Sequence, residues 1–245
     1  MPVVMKPKKS SLVIASALAC LLVFPANARA GSPYRELVDA FAGRDRLMDG
    51  FDRIVVSTLV SEAMRDPDLV EMDSECPGTI DLMAKASAPV LREAHERAVD
   101  EYRRDLEMLF ARGLTKEQAQ QASEFYRSED GQFMIGLAET YEVAEASLAE
   151  VRETEDGTIS RDAFDQDKAA TRDALRTSGH RQRLASIGFD LYTSDWFRTF
   201  DGLREEILTL ELALSNSDLT NEEDAQLESL VEDQLTDHFE RCYAE

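Results

Sequence analysis

The chain reads as an all-α protein, a bundle of about eight or nine short to medium helices behind an N-terminal export signal. Three observations carry that reading. Apolar residues recur at spacings of three and four through almost the whole chain after residue 45. Two Leu-Thr-x-Glu openings, at 114 and 219, put Thr115 three residues before Gln118 and Thr220 three before Glu223, the form of a capping box. Turn and stop residues separate the stripes by short connections, as at Asp66-Pro67, Arg112-Gly113 and Asn216-Ser217.

The first thirty residues are set apart from the bundle. Met1 to Lys9 carries Lys6, Lys8 and Lys9 without an acid, Leu12 to Ala26 is almost wholly apolar, and Ala28-Arg29-Ala30 offers the small residues that signal peptidase reads. The run is too short for a membrane span, which takes roughly 20 residues, and no later segment is long or apolar enough. A lipid anchor at Cys20 is disfavoured because Leu21-Leu22-Val23-Phe24 continues the apolar run past it. The expected location is the periplasm or the exterior, after cleavage near Ala30.

Export leaves a strongly acidic chain. Without the four basic residues of the first thirty, 23 bases face 49 acids, a formal charge of −26. Such a field repels phosphate backbones and anionic lipid, which excludes nucleic acid as an expected partner. Two cysteines remain, Cys76 and Cys242. In an oxidising compartment they permit one intramolecular pairing, so a Cys76 to Cys242 disulfide is expected.

Taken in order, residues 31 to 42 hold a short first helix around Leu37, Val38 and Phe41. Leu47, Phe51, Ile54, Val55, Leu59 and Ala63 predict a helix over 45 to 65, ended by Asp66-Pro67 because a residue before proline avoids helical dihedrals. The turn residues of 68 to 78 read as a loop. A helical stripe then runs from Ile80 to Phe110, with Pro89 either kinking it or opening a new helix and Gly113 placed as a C-terminal cap. Thr115 opens the next helix, with Ala119, Ala122, Phe125 and Tyr126 on one face. Ser128 caps a further helix whose stripe, Met134 to Val151, predicts one antiparallel hairpin over 114 to 151.

The positions Leu114, Thr115, Glu117, Phe125, Tyr126, Ser128 and Gly131 resemble the signature of a family of exported bacterial proteins catalogued as domain of unknown function 2059. That signature is a Leu-Thr start with an acid two residues on, then Phe-Tyr, a Ser-Pro turn and a glycine. Glu129 stands here where the family usually has proline, and glutamate also suits a first helical turn. The likeness spans about residues 90 to 155. It implies an all-helical domain of the cell envelope and no reaction.

The pattern breaks at Glu153 to Gly157, dividing the chain into an N-terminal region, 31 to 155, and a C-terminal region, 156 to 245. Asp156-Gly157-Thr158-Ile159-Ser160 looks like half of a calcium loop. In that register, however, Arg152, Thr154 and Ala163 occupy ligand positions that need acids, so a turn with Ser160 capping the next helix is expected. Phe164 to Leu175, Leu184 to Leu191, Trp196 to Leu214 and Leu227 to Phe239 give four more stripes, the third opened by a cap at Thr193-Ser194-Asp195.

None of these features carries a reaction. His95, His180 and His238 are mutually isolated, no cysteine pair has zinc spacing, and neither a Gly-x-Ser-x-Gly elbow nor a phosphate-cradling glycine loop occurs. No catalytic residue, metal or cofactor is therefore expected. The favoured function is non-enzymatic binding of an envelope protein partner through a helix groove. Two alternatives remain: an envelope hydrolase whose acids converge in a cleft, and weak divalent-cation binding by the acidic surface.

Overall fold

The computed structural model describes residues 31–154 and 157–244. The first thirty residues, on which the expected export signal falls, the Ile54 side chain and Asp156 lie outside the described residues. Among those described the protein is helical, without strands: α1 (Pro33–Phe41), α2 (Arg44–Ala63), α3 (Pro67–Glu75), α4 (Thr79–Gly113), α5 (Lys116–Arg127), α6 (Glu129–Thr140), α7 (Glu145–Glu153), α8 (Arg161–Thr177), α9 (Arg181–Thr193), α10 (Asp195–Asp201), α11 (Arg204–Ser215) and α12 (Asn221–Cys242).

The axis of the bundle is α4. Its 35 residues make a rod of about 50 Å, continuous through Pro89. A proline removes one backbone donor from a helix, and here burial of Val90 and Leu91 directly after it holds the helix together. Helices α1, α2, α3, α11 and α12 all pack on α4. The main core gathers Leu37, Val38, Leu106 and Phe110 with Ile187, Trp196, Phe200 and Ile207, so N-terminal and C-terminal helices share one interior. A second cluster joins Phe51, Val55 and Leu59 of α2 to Ala84 and Leu91 of α4, roofed by Leu219 and Leu227.

The twelve helices exceed the expected eight or nine because three stretches divide differently. Residues 67–75 are helical rather than a loop. Pro67 takes the first helical position, and Asp66 accepts hydrogen bonds from the Asp68 and Leu69 amides at 2.9 and 3.4 Å. The predicted helix over 128–151 breaks between Thr140 and Glu145. The Trp196–Leu214 stripe is two helices, separated at Gly202 and Leu203. Gly113 corrects a further expectation, since it is the last residue of α4 with no left-handed backbone. A side chain there would meet the Leu203 methyls at 2.5 and 2.7 Å, so glycine admits α11 against α4.

The expected caps are present where side chains decide them. Thr115 with Gln118 and Thr220 with Glu223 both form reciprocal capping boxes. Ser160 accepts from the Ala163 amide at 3.2 Å. Ser194 stands at the start of α10 but donates to the Leu191 carbonyl instead, at 2.6 Å.

Glu223 has a second partner. Arg97 of α4 grips its carboxylate through two nitrogens, at 3.1 and 2.8 Å, and also donates to the Asp218 carbonyl. The Arg97 guanidinium holds the Glu223 carboxyl down at about 2. Its ordinary value is 4.5, so the stabilisation is complete above pH 4.5 and is lost as the pH falls towards 2. Denaturant titrations across that window are expected to show a stability slope that Glu223→Gln flattens; an unchanged slope would count against the Arg97 contact.

Candidate functional site

The break after α6 is made by α8. Asp167 is 6% exposed, and its two oxygens accept the backbone amides of Ala146 and Ser147, each at 2.9 Å. These are free donors in the first turn of α7, whose own N-cap, Ala144, offers no side chain for them. One turn further along α8, Thr171 accepts the Val143 amide at 3.0 Å. An acid within the apolar stripe of α8 is the sequence signal for this contact, but spacing alone does not identify its partner.

Around that junction lies a recess of about 300 Å³, at the small end of ligand-binding cavities. Its apolar lining comes from Phe41, Tyr102, Ile135, Val143, Ile159, Phe164 and Leu208. Ile159 and Phe164 belong to a small core with Ala163, packed against Val151, Leu208 and Leu212, which gives the recess a rigid base. The Asn216 amide closes this base: it accepts from the Ile159 amide and donates to the Ile159 carbonyl, both at 2.8 Å.

The polar lining comes from acids and bases of several elements. Asp167 is committed to α7, and Glu211 is paired with Lys168 at 2.9 Å, the lysine also lying 4.8 Å over the Phe164 ring. Glu139 and Glu142 line the recess half-buried, while the exposed Arg172 and Arg204 line it from α8 and the start of α11. None of these four was singled out by spacing. Glu139, Arg172 and Arg204 come from three helices and Glu142 from the break after α6, and only the packing of α6, α8 and α11 assembles them.

The family-like positions lie elsewhere, at the α1–α5–α10 contact and the α5–α6 turn. Leu114 is 5% exposed, and Thr115 caps α5 with Gln118, whose amide also donates to Thr199 at 2.9 Å. Glu117 is exposed in the first turn of α5. Phe125 and Tyr126 join an aromatic cluster: Phe125 lies 5.6 Å from Trp196, and Tyr126 lies 5.1 Å from Phe41 and 5.7 Å from Phe200. Ser128 accepts the Gly131 amide at 3.2 Å. The hairpin partner of α5 is therefore a lesser neighbour than α1, against which α5 packs most extensively.

Cys76 and Cys242 are brought together with their Cα atoms 5.9 Å apart, a separation that a disulfide spans. His95 is buried and stacked on Phe51, with ring centres 4.4 Å apart; burial pushes its pKa below the ordinary histidine range. His180 is exposed at the start of α9, and His238 lies against Phe239 on α12. No histidine lines the recess. Among the described residues no group of three or more histidine, cysteine or acidic side chains is placed to hold a metal ion, and no helix is long and apolar enough to cross a membrane. Comparison with protein-family models, curated proteins and solved structures finds no match for this chain.

Proposed function

We propose that this chain is an exported, periplasmic protein of the domain of unknown function 2059 type that binds an envelope protein partner and catalyses no reaction. In this reading the recess between α6, α8 and α11 receives an apolar group of the partner, and its mixed charges engage the polar surroundings of that group. The observation that carries the reading is the use of the recess acids. Asp167 holds the α7 amides and Glu211 holds Lys168, so these acids serve the architecture around an apolar lining. Cys76 and Cys242, close in space, support a disulfide and hence an oxidising compartment.

The test uses anilinonaphthalene sulfonate, an apolar dye with one negative charge. Saturable binding at one site per chain is expected. Ala138→Trp, which places an indole at the recess from an exposed position of α6, should weaken binding about tenfold or more, the loss of roughly 1.4 kcal/mol. A melting temperature unchanged by Ala138→Trp would separate occlusion from unfolding. Non-saturable dye binding, or a Trp variant that binds as well, counts against the recess.

One observation favours a second reading. Glu139 and Glu142 line the same recess as Tyr102, an arrangement from which acid-base chemistry could be built. A hydrolase would turn over a chromogenic ester, with turnover abolished by Glu139→Gln, and that result would displace the binding reading.

A further inference from the structure

Helix α9 buries one side and leaves an aromatic face uncovered. Ile187 and Leu191 are buried, whereas Phe189 and Tyr192 are 69% and 78% exposed, the two most exposed large hydrophobic side chains among the described residues. At about 100° per residue, Arg181, Ala185, Gly188, Phe189 and Tyr192 fall within one sector of about 100°. All five are exposed. A side chain built at Gly188 meets nothing within 4 Å, so the space before this face is open.

The face is complementary to itself in size and in charge. If a second α9 lies antiparallel to the first about a two-fold axis between residues 188 and 189, Gly188 stands opposite Phe189 of the second copy. In the same register Ala185 stands opposite Tyr192. Each aromatic ring then meets a small residue that lets it approach. In the same arrangement Arg181, at the start of α9, lies at the far end of the second copy's α9, which Asp195 follows by two residues. The Asp195 side chain is 94% exposed. A parallel pairing would set ring against ring and arginine against arginine.

We propose that α9 is the surface through which two copies of this chain associate, antiparallel and about a two-fold axis. Aromatic and arginine side chains are the residues that most often anchor protein contacts. The segment that carries them is also locally basic, with Arg172, Arg176, Arg181 and Arg183 in an otherwise acidic chain. Each aromatic buries about 150–250 Å², so the contact lies at the small end of specific interfaces and the dimer dissociates on dilution.

Sedimentation equilibrium of the secreted chain over a dilution series is expected to show a monomer–dimer equilibrium. Arg181→Glu and Asp195→Arg should each raise the dimer Kd about tenfold or more, because each sets like charges together at both ends of the contact. An equimolar mixture of the two variants should recover the unmodified affinity, since both of its charge contacts are then opposite in sign. That recovery distinguishes a two-fold α9 contact from general charge repulsion. Tyr192→Ala should weaken the dimer without lowering the melting temperature of the monomer. A chain that stays monomeric throughout, a dimer insensitive to all three substitutions, or a mixture as weak as its components overturns the proposal.

Discussion

Replacing Gly131 by alanine should destabilise the protein by about 3 kcal/mol, the upper end of the usual cost of forcing extra volume into a packed site. The added carbon would lie 2.1 Å from the Phe125 carbonyl oxygen and 2.7 Å from the Tyr126 Cα. Both are backbone atoms, so no side-chain rotation relieves the clash. The junction between α5 and α6 must open, which pulls Phe125 and Tyr126 away from Trp196, Phe41 and Phe200. In a chain of this size the melting temperature should fall by about 6–12 °C. Gly179→Ala is the control, because a carbon added there meets nothing within 4 Å. Thermal melts showing equal, small shifts for the two variants would rule out the close approach.

The second large effect is expected from Cys242→Ser. The two cysteines are 166 positions apart, and closing a loop of that length stabilises the folded state by at most about 5 kcal/mol in the chain-entropy model. The effect should be concentrated at α12. That helix has no buried residue, and the Arg97 grip on Glu223 lies at its opposite end. Urea titration should show the loss, and hydrogen exchange should quicken over 230–242 while α4 remains protected. Thiol counting on the unfolded, unreduced protein gives an independent check. Two free thiols would remove the disulfide and this prediction with it.

The helices were legible wherever one side chain satisfies its own neighbourhood. Thr115 with Gln118, Thr220 with Glu223, and Ser160 act within three residues, and such contacts are written in spacing. Helix α3 was missed for a related reason. Asp66-Pro67 ends one helix and starts the next, and the same two residues serve as stop and start signals. The division of 128–151 could not be seen at all, because Asp167 and Thr171 stabilise the break from 20 to 28 residues away.

Gly131 shows the same division within one motif. Sequence places it as a glycine in a resembling signature, but only the approach of the Phe125 carbonyl explains why a side chain is excluded there. The recess is the extreme case, since Glu139, Arg172 and Arg204 occupy separate helices and carry no spacing in common. By itself the sequence determined the all-helical class, most helix starts and the acidic charge, because 3.6-residue periodicity and capping are local. The tertiary structure alone decided the breaks, the recess and the uncovered face of α9. Those depend on which helix packs beside which, and burial between distant segments leaves no mark in a one-dimensional pattern.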